Sequence, residues 1–88
     1  MNTTIENKVV ILSDFWMSYR DDEAFTDLIE YADLALPLCY AIEAGFIKNN
    51  EKITPFIEEA FELLCSSFGI EDTGFETLDE ILDSAEQQ

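Results

Sequence analysis

The chain has 88 residues, with 20 Asp and Glu against four Lys and Arg, no His, and a formal net charge of -16. A field of that sign repels nucleic acid and anionic membranes and attracts basic surfaces, and the lack of His removes the usual triad base and His-ligated zinc. Hydrophobic content of 48 %, including seven Phe, argues against disorder, so residues 1–88 are expected to form one small domain.

Thr3-x-x-Glu6 has the form of a capping box, and Ile5, Val9, Leu12, Trp16 and Tyr19 follow at helical spacing. The run Val9-Val10-Ile11-Leu12 alone would suit a strand, but the period continues to Tyr19 and favours helix. Phe15-Trp16-Met17 widens the apolar face, either as a broad core surface or as a dimer or partner patch. Asp21 or Asp22 is placed to cap a second helix with Phe25, Leu28, Ile29 and Ala32 inward.

Between Leu34 and Ile47 the only charge is Glu43. A helix that is apolar nearly all round belongs inside a bundle, which predicts a central helix over 34–45 wrapped by the other segments. Asp33 is placed to cap it, Pro37 lies near its first turn, and Gly45 supplies a left-handed end over which Phe46 can fold back. Residues 46–54, FIKNNEKIT, predict a loop; a short hairpin turning at Asn49-Asn50 and pairing Phe46 with Ile53 is the alternative.

Thr54-Pro55 marks the next helix start, Thr54 as cap and Pro55 as first residue, with Ile57, Ala60, Phe61, Leu64, Cys65 and Phe68 inward, Gly69 as terminator and Ile70 as its hydrophobic contact. After a turn at Asp72-Thr73-Gly74, Thr77-x-x-Glu80 opens a last helix with Leu78, Ile81, Leu82 and Ala85 inward. The expected fold is all-α, a compact bundle of about five short helices.

No catalytic constellation emerges. Cys39 and Cys65 fall in separate apolar patterns and read as core residues, without the partners of a zinc site. The three Gly stand apart, so there is no phosphate-binding loop. In the acidic run 71–83, Thr73 and Phe75 occupy would-be ligand positions and exclude an EF-hand. The Asp-Ser-Leu setting that carries the prosthetic group of acyl carrier proteins is missing. The expectation is a non-enzyme with no metal and no cofactor. Neither a signal peptide nor a transmembrane run is seen, which makes the cytoplasm the default compartment.

The acids are spaced informatively. Glu23/Asp27/Glu30, Glu58 and Glu59 with Glu62, and Glu76/Asp79/Glu80/Asp83/Glu86 recur three or four residues apart. About nine like-charge pairs at ~0.2–0.5 kcal/mol each cost on the order of 2–4 kcal/mol before screening. Capping explains Asp21, Asp22, Glu23 and Glu80, but not Glu62, Asp83 or Glu86. Halophilic adaptation fits poorly with nine Ile and seven Phe. The remaining explanations are a merely solvated face and a surface built to hold a basic protein.

Two pieces, Asp33-Leu34-Ala35-Leu36-Pro37-Leu38 with Tyr40, and Gly69-Ile70 followed by Asp72-Thr73-Gly74-Phe75 and Leu78, resemble small uncharacterised proteins of bacteriophages and bacteria. The motifs are turn and core residues, so the resemblance implies a fold and carries over no active site. In charge and size the chain also resembles phage-encoded nucleic-acid mimics that inhibit restriction, CRISPR or transcription enzymes. Together these predict a phage-encoded inhibitor that engages the basic surface of a nucleic-acid-binding protein, without binding nucleic acid or membrane itself. Glu58, Glu59, Glu62, Glu76, Asp79, Glu80, Asp83 and Glu86 would form the contact. The alternative is an assembly protein, a homodimer through Phe15, Trp16 and Met17, whose charge serves only solubility.

Overall fold

The computed structural model describes every residue except Met1, Asp33 and Gln88. The described residues form five α-helices and no strand: α1 (Ile5–Tyr19), α2 (Thr26–Ala32), α3 (Ala35–Glu43), α4 (Thr54–Phe68) and α5 (Leu78–Glu86), with a single 3-10 turn at Glu23–Phe25 before α2. The radius of gyration, 12.0 Å, matches the ~12 Å of a compact chain this long. No described helix is long and apolar enough to cross a membrane.

The expected inward stripes face the core, but their depth differs: Ile5, Trp16, Tyr19, Phe25, Ile29, Phe68, Leu82 and Ala85 are only partly buried, while Ile11, outside the expected stripe of α1, and Phe15 are wholly buried. Val9, Ile11, Leu12 and Phe15 of α1 meet Ile57, Ala60, Phe61, Leu64 and Cys65 of α4, with Leu78 and Ile81 of α5 closing the same core. Phe25 sits at the centre of an aromatic group, its ring 5.3 Å from Phe15, 4.9 Å from Tyr19 and 5.7 Å from Phe68. Asp22 caps the 3-10 turn by accepting from the Ala24 N–H at 2.9 Å, and Thr77 caps α5 by accepting from the Glu80 N–H at 3.3 Å.

The bundle's centre is not where the hydrophobic pattern put it. The packing is shared between α1, which lies on α3, α4 and α5 and most extensively on α3, and α4, which touches all four other helices. In α3 only Ala35, Leu36 and Cys39 are buried, while Tyr40 is exposed and Leu34, just ahead of the helix, is 68 % exposed. The reason is thickness. The molecule measures 36 × 31 × 18 Å, and helices pack ~8–10 Å apart, so the short axis holds two layers. A fully wrapped helix needs three.

Other local expectations change in detail. Thr4, not Thr3, caps α1, accepting from the Asn7 N–H at 3.2 Å. The cap expected of Asp33 lies outside the described residues. Residues 46–54 form no hairpin: Asn50 Oδ1 accepts from the Lys52 and Ile53 N–H groups, and Asn50 O from those of Ile53 and Thr54, which leads straight into α4. Thr54 is therefore the first residue of α4 rather than its cap. Phe46 is 76 % exposed and pairs with nothing in that loop.

Thr3 has a different task. Its hydroxyl donates to Asp72 Oδ1 at 2.5 Å, its N–H reaches Asp72 Oδ1 at 2.9 Å and Oδ2 at 3.1 Å, and its Oγ1 accepts from the Phe75 N–H at 2.9 Å. Asp72 Oδ1 also accepts from the Gly74 N–H at 3.1 Å, which holds the turn before α5. The start of the chain is thereby tied to the α4–α5 connection.

Candidate acidic interface

On α5 the positions advance by about 100° per residue. Leu78 and Ile81 point into the core, which turns Asp79, Glu80, Asp83 and Glu86 outward within an arc of about 120°. Asp79 to Glu86 spans about 10.5 Å of axis at 1.5 Å per residue. Four carboxylates over that length give one charge per ~3.5 Å, close to the ~3.4 Å axial spacing along one DNA strand. No basic residue stands in the last turn of α5 to offset the acids there.

The other expected contact residues divide. All eight acids are exposed, but Glu76 precedes the Thr77 cap and so lies in the turn before α5, outside the helical row. On α4, Glu58 and Glu62 share one outward stripe; Glu59 is turned toward α2 and α3, where it borders a groove with Tyr31, Leu34 and Phe56. Arg20–Asp21, at 4.0 Å, is the one ion pair among the described residues. None of the eight acids is neutralised by it.

Two acids outside the expected contact set, Asp14 and Glu43, join the α5 row. Asp14 of α1 lies beside Asp79, lining a depression with Met17, Ser18, Thr77 and Leu78. A second depression next to it runs from Asp14 and Met17 to Tyr40 and Glu43 of α3. Partial burial first, and then the charges of Glu43 and Asp79, hold the Asp14 carboxyl above its ordinary value of 3.8. Three helices thus bring one carboxylate each to the rim around Met17. The signal in the sequence is faint: each of Asp14 and Glu43 is a lone acid in an otherwise apolar stretch.

The apolar triplet of α1 does not act as a unit. Phe15 is wholly buried and offers no surface, because consecutive helical positions face about 100° apart. Trp16 is half-buried, with its ring 5.5 Å from that of Tyr40 and the Arg20 guanidinium 5.0 Å above it. Met17 alone is open, 48 % exposed. A dimer patch through all three residues is excluded by the burial of Phe15.

No protein-family model, curated protein or solved structure matches the chain. The site is therefore read from its own chemistry. No group of three or more described His, Cys, Asp or Glu is arranged to hold a metal ion. Cys39 and Cys65 are free and buried. Burial, with Glu43 nearby, pushes the Cys39 thiol up to about 12. Burial and the charges of Asp72 and Glu62, opposed by Lys8, push Cys65 up to about 11. Neither is a nucleophile at neutral pH.

Proposed function

We propose that the protein is a non-enzymatic acidic binding protein that inhibits or modulates a nucleic-acid-handling protein by occupying its basic surface. The contact is the α5 row of Asp79, Glu80, Asp83 and Glu86, extended by Asp14 and Glu43. The observation that carries the reading is that the α5 carboxylates share one outward arc, and that all six are exposed and without a cationic partner among the described residues, although the like-charge row costs folding energy. A groove that holds phosphates accepts a rigid row of anions at that spacing and is then closed to its own ligand. Met17 and Tyr40 between the acids suit the aliphatic stem of a Lys or Arg, which buries its methylenes while its charge meets a carboxylate.

The test is capture of nucleic-acid-binding proteins from a bacterial lysate on the immobilised domain. Captured protein should elute between about 50 and 500 mM salt, as a multi-charge contact does, and should be displaced by duplex DNA. Asp79→Lys combined with Asp83→Lys should abolish capture while the circular dichroism spectrum and thermal unfolding remain those of a folded domain. Capture that survives both the reversal and the salt would refute the proposal.

A further inference from the structure

A second surface lies on α2, α3 and α4. Its floor is made of three small buried residues, Ala32, Ala35 and Ala60, one from each helix. Its rim carries large apolar groups left open: Tyr31 at 80 % exposure, Leu34 at 68 % and Phe56 at 60 %, with Leu63 half-buried beside them. The hollow measures about 250 Å³, the liquid volume of about eight waters. Alanine floors under large rim residues make the hole into which a partner's side chain fits as a knob. Phe56 and Leu63 stand two turns apart on one stripe of α4, about 10.5 Å along the axis, so the hollow is elongated along that helix.

Charge decides the occupant. Glu59 lines the hollow and is exposed, and Asp27 stands one turn before Tyr31 on α2, exposed. A second copy would bring another chain of formal charge -16 against those carboxylates, so self-association through this face is opposed by long-range repulsion. An anionic bilayer is repelled for the same reason. The geometry points to a docking groove for a basic amphipathic helix, with one or two apolar side chains seated over Ala32, Ala35 and Ala60 and flanking Lys or Arg meeting Glu59 and Asp27. Such helix-in-groove binding draws affinity from a few buried anchors and specificity from the charged rim. It shares with the proposed function only the sign of the partner's charge, and it uses a face that the α5 row does not.

The probe is a labelled peptide of about 15 residues, long enough for a helix to form on binding. It carries Leu at positions i, i+4 and i+7 and Lys at most others, and is compared with a scrambled peptide of the same composition. At about 0.3 M salt, where diffuse attraction is screened, the patterned peptide should bind and the scrambled one should not. Amide shifts should centre on Tyr31, Leu34, Phe56, Glu59 and Leu63. Tyr31→Ser with Phe56→Ser, two exposed positions whose change leaves the core intact, should weaken binding at least about tenfold. Leu34→Ser gives a second, separate variant with the same expected direction. Asp79→Lys with Asp83→Lys should leave this binding in place, which separates its failure from that of the acidic interface. Equal binding of the scrambled peptide, shifts confined to α5, or a monomer–dimer equilibrium that the rim variants abolish would each overturn the groove.

Discussion

Asp72 is the residue on which two distant parts of the chain agree. Burial opposes its charge, but the Thr3 hydroxyl, the Gly74 and Thr3 N–H groups and the Lys8 charge outweigh it and hold the carboxyl below its ordinary 3.8. A lowered carboxylate contributes stability that is present above the unfolded value and lost as pH falls through the folded one. Asp14 works the other way: its raised carboxyl makes the ionised form a liability, relieved as pH falls. Urea unfolding followed from pH 7 downward should therefore show stability rising as Asp14 takes up its proton, then dropping below about pH 3.8 as Asp72 does. In Asp72→Asn the low-pH drop should be missing. Thr3→Val keeps the shape but leaves the buried Phe75 N–H without its acceptor, and should cost about 1–3 kcal/mol at neutral pH. The same residue shows how far local pattern reading reaches. Thr3-x-x-Glu6 fits a capping box, yet the partner that claims Thr3 lies 69 residues away, a separation no window can register.

At the level of helices, the two glycine endings make a matched comparison. Gly45 and Gly69 both take left-handed backbone, at φ 84° and 67°. Both close the double hydrogen bond of a Schellman ending: Phe46 N–H to Ala41 O with Gly45 N–H to Ile42 O, and Ile70 N–H to Cys65 O with Gly69 N–H to Ser66 O. Ile70 is buried in the core whereas Phe46 is not, so only the second ending adds a hydrophobic contact. A Cβ placed on Gly45 would meet nothing within 4 Å. Gly45→Ala should then cost about 1–2 kcal/mol from backbone strain alone, measurable as a shift of the urea midpoint without a change in slope. Helix existence, most of the inward stripes and the left-handed glycines were legible from the residues because helix period and ending rest on spacings of a few positions, whereas the burial of Ile11 and the exposure of Phe46 depend on what packs across from them. The place of α3 was not, since it depends on how many layers 88 residues can stack. The candidate site was half legible: the α5 row follows from spacing, while Asp14 and Glu43 join it only through the crossing of α1, α3 and α5.

For the molecule as a whole, folding and the proposed binding pull its charge in opposite directions. Asp83 has Asp79, Glu80 and Glu86 within one turn, all exposed and all of its own sign. Asp83→Asn removes three repulsions of ~0.2–0.5 kcal/mol and should raise stability by about 0.6–1.5 kcal/mol. On the proposed reading it should also weaken the contact with a basic partner, because one charge of the row is gone. Salt offers the same opposition without a mutation. Screening shortens the reach of like-charge repulsion to about 10 Å at 0.1 M and about 3 Å at 1 M, so the melting temperature should climb with added sodium chloride while partner affinity falls. The two slopes, measured on one preparation by calorimetry and by titration, discriminate between the roles left for the acids. A face kept acidic only for solubility predicts the stability slope and no salt-sensitive partner. A face shaped for recognition predicts both, and predicts further that Asp79→Lys with Asp83→Lys flattens them together, since the same carboxylates cause the repulsion within the fold and the attraction outside it.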